Sequence, residues 1–285
     1  MDVKELSDRL AVAVEGVAEE ERDAFIRGWI MNLPIGDQTP ATTLYGIFRS
    51  EVPPRSKHVL VLVHGIRTAA VWHDLVQQVF EPTEIRVIPI GYEYHGVVRF
   101  LSPFGRKGVV SYVQDQLRQV RSDHPQAAIS LIAHSFGTYI VSRILSSSSG
   151  YRLSKIIFCG SIVDAKFPWG QIQELPERSR FLNEVGFRDV WPVLARTSSW
   201  GYGTSGSFGF KQAKVSDRYH DLDHGGFFNR EWIAKFWLSF IRDDQHTPSG
   251  FSRENPPYWL QLLTVIHIKY IVLAVLGGLL FCYRP

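Results

Sequence analysis

Residues His58–Val63 form a run of Val and Leu that ends in His64-Gly65, and this run constrains the fold more than any other feature of the chain. An apolar stretch that short, with no alternation of polar residues, fits a strand buried on both faces. Burial on both faces requires helices on both sides of a sheet. Further strand-like runs follow at residues 85–90, 127–133, 153–163 and 181–185, with another at 209–215. Between them, residues 72–80, 111–120, 139–145 and 231–242 carry apolar residues at helical spacing. Strand and helix alternate through short connections, which predicts a doubly wound, mainly parallel α/β sheet.

Residues 4–31 read as helices. Leu6, Leu10 and Val14 share one face, as do Phe25, Trp29 and Ile30. Residues 43–48 read as an early strand. The expected organisation is a helical segment over 1–40, the α/β domain over 41–248, a linker over 249–257 and a hydrophobic helix over 258–285. At 285 residues, 45% hydrophobic and 21% charged, the chain has the composition of a globular protein. Its net charge of +3, with no basic run interleaved with aromatics, argues against nucleic acid as a partner. Cys159 lies in a strand-like run and Cys282 near the chain end, so no disulfide is expected and a reducing compartment fits. Residues 1–16 contain acidic groups and no unbroken apolar core, unlike a secretory signal. The body is therefore expected in the cytoplasm.

The C-terminal segment is different in kind. Residues 259–283 are apolar apart from Gln261, Thr264, His267 and Lys269. About 20 apolar residues cross a bilayer as a helix. Lys269 would cost roughly 2.5–3.5 kcal/mol at the bilayer centre, less if its ammonium snorkels. The cleaner stretch, residues 270–283, is short for a complete span. The expected role is a tail anchor on the cytoplasmic face of a membrane. An interfacial segment, or a helix docked on a soluble body, is the alternative.

The chemistry concentrates at Ala133-His134-Ser135-Phe136-Gly137, between an apolar strand and an apolar-periodic helix. Small residues at both ends allow a sharp strand-to-helix turn that projects the Ser135 hydroxyl over the sheet edge. The helix N-terminus favours negative charge developing there.

With that elbow, the chain resembles the α/β-hydrolase superfamily on its lipase and esterase side, from about residue 59 to residue 228. His64-Gly65-Ile66 resembles the family's oxyanion loop, so the resemblance implies that the backbone N–H groups of Ile66 and Phe136 hold the oxyanion. HGIRT (residues 64–68), AHSFGTY (residues 133–139) and DHGGFF (residues 223–228) also resemble an uncharacterised group of bacterial hydrolases. The family order of nucleophile, acid, base points to Asp189, after the strand-like run at 181–185, as the acid; Asp164 is the alternative. It points to His224, in Asp223-His224-Gly225-Gly226, as the base, with Gly225 and Gly226 freeing the backbone; His220 competes. His64 is expected to brace its loop.

Other motifs are set aside. Gly201-Tyr202-Gly203-Thr204-Ser205-Gly206 spells a dinucleotide fingerprint, but no apolar strand leads into it and no amphipathic helix follows. A flexible loop at the site entrance fits better. His220 and His224, with Asp221 and Asp223, lie four apart, but the glycines that follow oppose a helix, so neither metal nor cofactor is expected. Residues 92–104 with Trp169 line an acyl pocket or belong to the core.

The implied activity is hydrolysis of a carboxylic ester, lipid esters included, or a thioester, through an acyl-enzyme on Ser135. A membrane-tethered interaction module without catalysis, and a membrane-acting effector lipase triggered by a partner, are the competing expectations. The expected partners are a small-molecule or lipid ester and a membrane; no protein partner is implied.

Overall fold

The computed structural model describes all residues except 1–2, 15–16, 18, 52–56, 66–70, 93–99, 103–104, 148–149, 173–174, 178–179, 252–255 and 283–285. The chain divides into two compact units, Met1–Arg55 and Ser56–Pro285.

The first unit consists of three helices, α1 (Val3–Val14), α2 (Glu19–Met31) and α3 (Ile35–Glu51). They bury Leu6, Leu10, Ile26, Ile30, Leu33 and Ala41, with Val14, Trp29, Leu44 and Tyr45 packed against them. Two expectations are corrected. The inward face of α2 is built on Ile26 and Ile30, while Phe25 is exposed. Residues 43–48 are helical: Ala41, Leu44 and Tyr45 fall three and four residues apart, and packing on that spacing overrides the strand preference of a Thr- and Phe-containing stretch.

The second unit is a six-stranded sheet in the order β2-β1-β3-β4-β5-β6. Its strands are β1 (His58–Val63), β2 (Ile85–Ile90), β3 (Ala128–His134), β4 (Leu153–Cys159), β5 (Phe181–Gly186) and β6 (Ser216–His220). Every neighbouring pair is parallel. Successive side chains of a strand point to opposite faces, and β1 divides accordingly. Val59, Val61 and Val63 join one core with α5 (Arg106–Asp123) and α6 (Phe136–Ser147); Leu60 and Leu62 join the other with α4 (Val71–Phe80) and the closing helix α8. That closing helix runs through Arg230–Trp232, a π-helical stretch Ile233–Leu238, and Ser239–Asp243. This is a doubly wound parallel α/β sheet with helices on both faces, the architecture expected of the α/β-hydrolase fold. Residues 209–215 are not a strand; the last strand is β6, five residues long.

Strand order reverses at β1, which has β2 on one side and β3 on the other. Loops leaving the carboxyl ends of strands on either side of such a switch point diverge, and ligands bind in the crevice they leave. His64-Gly65 leaves β1 and Ser135 leaves β3 at this point.

The apolar C-terminal segment forms two helices, α9 (Tyr258–Leu263) and α10 (Ile268–Cys282). The window Tyr258–Val275 satisfies the length and composition of a membrane span, but the backbone breaks between the two helices. Lys269 donates to the carbonyls of Arg196 and Ser199 at 3.1 and 2.9 Å. These lie at the end of α7 (Trp191–Ser198), where helix carbonyls lack intrahelical partners and favour a cation.

Candidate active site

Ser135 connects β3 to α6 with φ of +54°, one of the few non-glycine residues in the left-handed region. Such a conformation costs an L-residue roughly 1–2 kcal/mol, so its surroundings must enforce it. They do so from three sides. Its N–H donates to the Cys159 carbonyl at 3.0 Å, extending the β3–β4 pairing by one residue. The Ser135 carbonyl accepts from the N–H and the hydroxyl of Thr138, at 3.0 and 2.6 Å. Gly137 lets the first turn of α6 cross the end of β1; a Cβ there would lie 2.3 Å from the Val63 carbonyl oxygen. Phe136 begins α6, and its N–H belongs to the first turn, which has no intrahelical acceptor.

Gly65 brings the loop after β1 against the elbow, since a Cβ there would lie 2.7 Å from Ser135 Cβ and 3.2 Å from its Oγ. His64 braces that loop. Its Nδ1 lies 2.6 Å from the Gly65 carbonyl, its ring stacks on Tyr92 at 4.1 Å, and the Tyr92 hydroxyl donates to the His64 carbonyl. Because a carbonyl only accepts, His64 Nδ1 carries the proton. Burial lowers the pKa of this imidazole, the Gly65 carbonyl opposing only in part. Ile66 lies outside the described residues.

Asp189 follows β5 and a two-residue turn, fully buried. Its Oδ1 accepts from the Trp191 N–H at 3.0 Å, and its Oδ2 lies 2.8 Å from Nδ1 of His224. The Ser207 hydroxyl donates to the Asp189 carbonyl at 2.7 Å and ties the turn down. A carboxylate facing Nδ1 selects the tautomer protonated there, which leaves the Nε2 lone pair of His224 available as a base.

The remaining candidates are occupied otherwise. His220 places Nε2 2.8 Å from Glu184 Oε2, and Arg218 Nε donates to the same carboxylate oxygen at 2.9 Å. Burial pushes the Glu184 carboxyl up, but the charge and hydrogen bonds of Arg218, with His220, hold it down at about 2. Asp164 is exposed and accepts from the Lys166 N–H at 2.8 Å as a turn residue. Trp169 is core, against Phe158, Phe167, Phe181 and Phe210.

Two expectations about glycines change. Residues 201–206 are not a loose flap. Gly203 and Gly206 donate to the Ile162 and Ser161 carbonyls at 2.7 Å each, and a Cβ at either would lie within 2.5 Å of the 160–164 backbone. Gly225 and Gly226 do not adopt positive φ. The glycine that makes room for the base is Gly160, just beyond β4. It has φ of +56°, and a Cβ on it would lie 2.7 Å from Cε1 and Nδ1 of His224. A glycine after an apolar strand does not by itself mark a seat for the base, so local sequence carried no signal for it.

His134, the last residue of β3, was also passed over. Its ring lies 4.4 Å from that of His224 and 4.8 Å from Phe228, and it is buried. Ser135 and Gly160 thus stand on adjacent strands, joined through Cys159, with the His224 ring over Gly160 and Asp189 behind it. Ser135 and the bonded pair Asp189–His224 stand at the same carboxyl edge of the sheet, with no hydrogen bond between the Ser135 hydroxyl and the His224 ring among the described residues. Such a group can carry out proton-assisted nucleophilic attack on a carbonyl.

No family model and no curated protein matches the chain. Solved structures similar to it include a predicted CIB-like hydrolase from Thermoplasma acidophilum, at 14% identity over 67% of this chain and 89% of that chain, TM-score 0.44. LpqC, a poly(3-hydroxybutyrate) depolymerase from Bordetella parapertussis, is 14% identical over 73% and 85%, TM-score 0.47. The esterase PF2001 from Pyrococcus furiosus is 13% identical over 67% and 83%, TM-score 0.44. Likeness of this depth assigns no residue or substrate to this chain.

Proposed function

We propose that this chain is a serine hydrolase that cleaves carboxylic esters or thioesters through an acyl-enzyme on Ser135. The observation that carries the reading is the 2.8 Å contact between Asp189 Oδ2 and His224 Nδ1, at the same sheet edge as a strained serine elbow. In this reaction Ser135 Oγ attacks the carbonyl carbon while His224 Nε2 takes its proton. The N–H groups of Phe136 and Ile66 hold the resulting oxyanion. The tetrahedral adduct collapses, and the leaving alcohol or thiol takes the proton from His224. Water, deprotonated by the same nitrogen, then releases the acid and restores the serine. Asp189 keeps the imidazole in the required tautomer and stabilises its cation.

The exposed apolar residues of α9 and α10 support a membrane-held enzyme; the proposal places it on the cytoplasmic face, with amphiphilic or lipid esters as substrates. The decisive experiment is labelling with a fluorophosphonate. The full chain is expected to label, and Ser135→Ala to abolish labelling. An unlabelled wild-type chain, or a label that persists in Ser135→Ala, overturns the reading in favour of a non-catalytic module or another nucleophile.

A further inference from the structure

We propose that His134 is a positioning residue for the base: it clamps the backbone of His224 through Nε2 and backs the His224 ring with its own. The inference rests on the reading of His224 as general base, and it adds a residue that the nucleophile–acid–base order does not contain.

The geometry starts from a hydrogen bond of known polarity. His134 Nε2 lies 3.2 Å from the His224 carbonyl oxygen. That oxygen has no proton to give, so Nε2 must be the donor. In the neutral ring, Nδ1 then keeps its lone pair, and among the described residues that buried atom has no partner. A buried polar atom without a partner is a net cost, and a leucine at the end of β3 would avoid it. The compensating contribution is the bond that His134 makes.

His224 needs such support. It lies in a loop, and among the described residues its ring has one hydrogen bond, to Asp189. A single bond at Nδ1 leaves the ring free to pivot about that contact, so it does not by itself fix the direction of Nε2. A second bond at the His224 carbonyl fixes its backbone. The His134 ring, 4.4 Å away and tilted by 48°, blocks the pivot on one side, and Gly160 receives the ring on another. His134 is itself wedged by Phe228 at 84° and 4.8 Å and by Trp72 at 6.3 Å. The titratable groups acting on it are His224, His64 and His73; burial foremost, and then these imidazoles, keep it neutral well below the usual histidine range. A neutral neighbour is what the mechanism requires, since a second cation 4.4 Å away would oppose formation of the His224 imidazolium.

The test compares His134→Leu, which fills the site without a donor, with His134→Gln, whose amide N–H can replace Nε2. Fluorophosphonate labelling rate, kcat and KM on a soluble ester, and Tm are read on the full chain. His134→Leu is expected to lose about 10-fold or more in labelling rate and kcat, with KM within about twofold and Tm unchanged or raised. His134→Gln is expected to recover most of the loss. Wild-type rates in His134→Leu, or losses in both variants that follow a fall in Tm, overturn the proposal. Imidazole nitrogen NMR of the wild-type chain supplies a readout independent of activity: His134 should be protonated at Nε2 alone from pH 5 to 8. A His134 cation or an Nδ1–H tautomer overturns the clamp even if Ser135 labels; absent labelling with the expected tautomer overturns the hydrolase reading instead.

Discussion

At the scale of single residues, space around His224 matters as much as the groups that bond to it. The imidazole lies over Gly160, in a left-handed conformation that a side chain adopts only with strain, and any Cβ there meets the ring at 2.7 Å. Gly160→Ala should therefore displace the base without touching the nucleophile. We expect a loss of about 10²-fold in kcat, as follows from misplacing a catalytic group by roughly 1 Å, with the fluorophosphonate still reacting slowly at Ser135. Kinetics on a soluble ester check this, and wild-type turnover in Gly160→Ala would mean that the ring does not work from this position. Asp189 and His224 were candidates in the sequence because the chain order that the family resemblance implies and their turn positions single them out. Gly160 and His134 were not, because their importance lies in what packs on them from residues more than sixty positions away.

At the scale of elements, the sheet explains where the candidate site lies, and the exposed C-terminal helices are where the proposed contact with lipid would be made. The hook from Lys269 to the last carbonyls of α7 relieves the problem that this lysine poses inside an apolar stretch. It places the lysine against the body, while Ile271, Val272 and Leu273 of α10 stay exposed. Exposed Trp191 opens α7 and exposed Trp200 follows it, and such rings favour the membrane–water interface. The full chain should co-float with phosphatidylcholine vesicles, whereas a chain ending at Gly250 should stay in the aqueous fraction, both turning over a short soluble ester at rates within about threefold. Equal flotation of the two would show that α9 and α10 are not the membrane-binding elements. The break between these helices escaped the sequence, where a single helix over 258–285 was the simplest reading of continuous apolar composition.

At the scale of the whole molecule, the buried titratable groups predict sensitivity to acid. His58 and His73 are lowered to about 4, both chiefly by burial, with Lys155 adding to the first and His64 to the second. Between about 6.5 and 4 the unfolded chain therefore binds protons that the folded chain refuses, and stability falls as pH falls through that window. Glu184 acts in the same direction at lower pH: its folded pKa of about 2 lies below the ordinary value of 4.5, so its contribution is complete above 4.5 and is lost as pH approaches 2. Tm should be nearly flat from pH 7 to 8 and decline steadily from pH 6.5 to 4. A flat profile across the lower window would show that these histidines are protonated in the folded state.

By itself the amino-acid sequence determined the layers of the α/β unit, because residues buried on both sides of a strand leave an unbroken apolar run, and the elbow, because a small-x-Ser-x-Gly turn between strand and helix is a local steric solution. The tertiary structure alone decided the helical character of residues 43–48, the pairing of His220 with Glu184 and Arg218, and the cradle of Gly160 and His134 around His224. These depend on contacts between residues distant along the chain. Neither periodicity nor turn chemistry, both of which are local, records which residues meet when the strands pair.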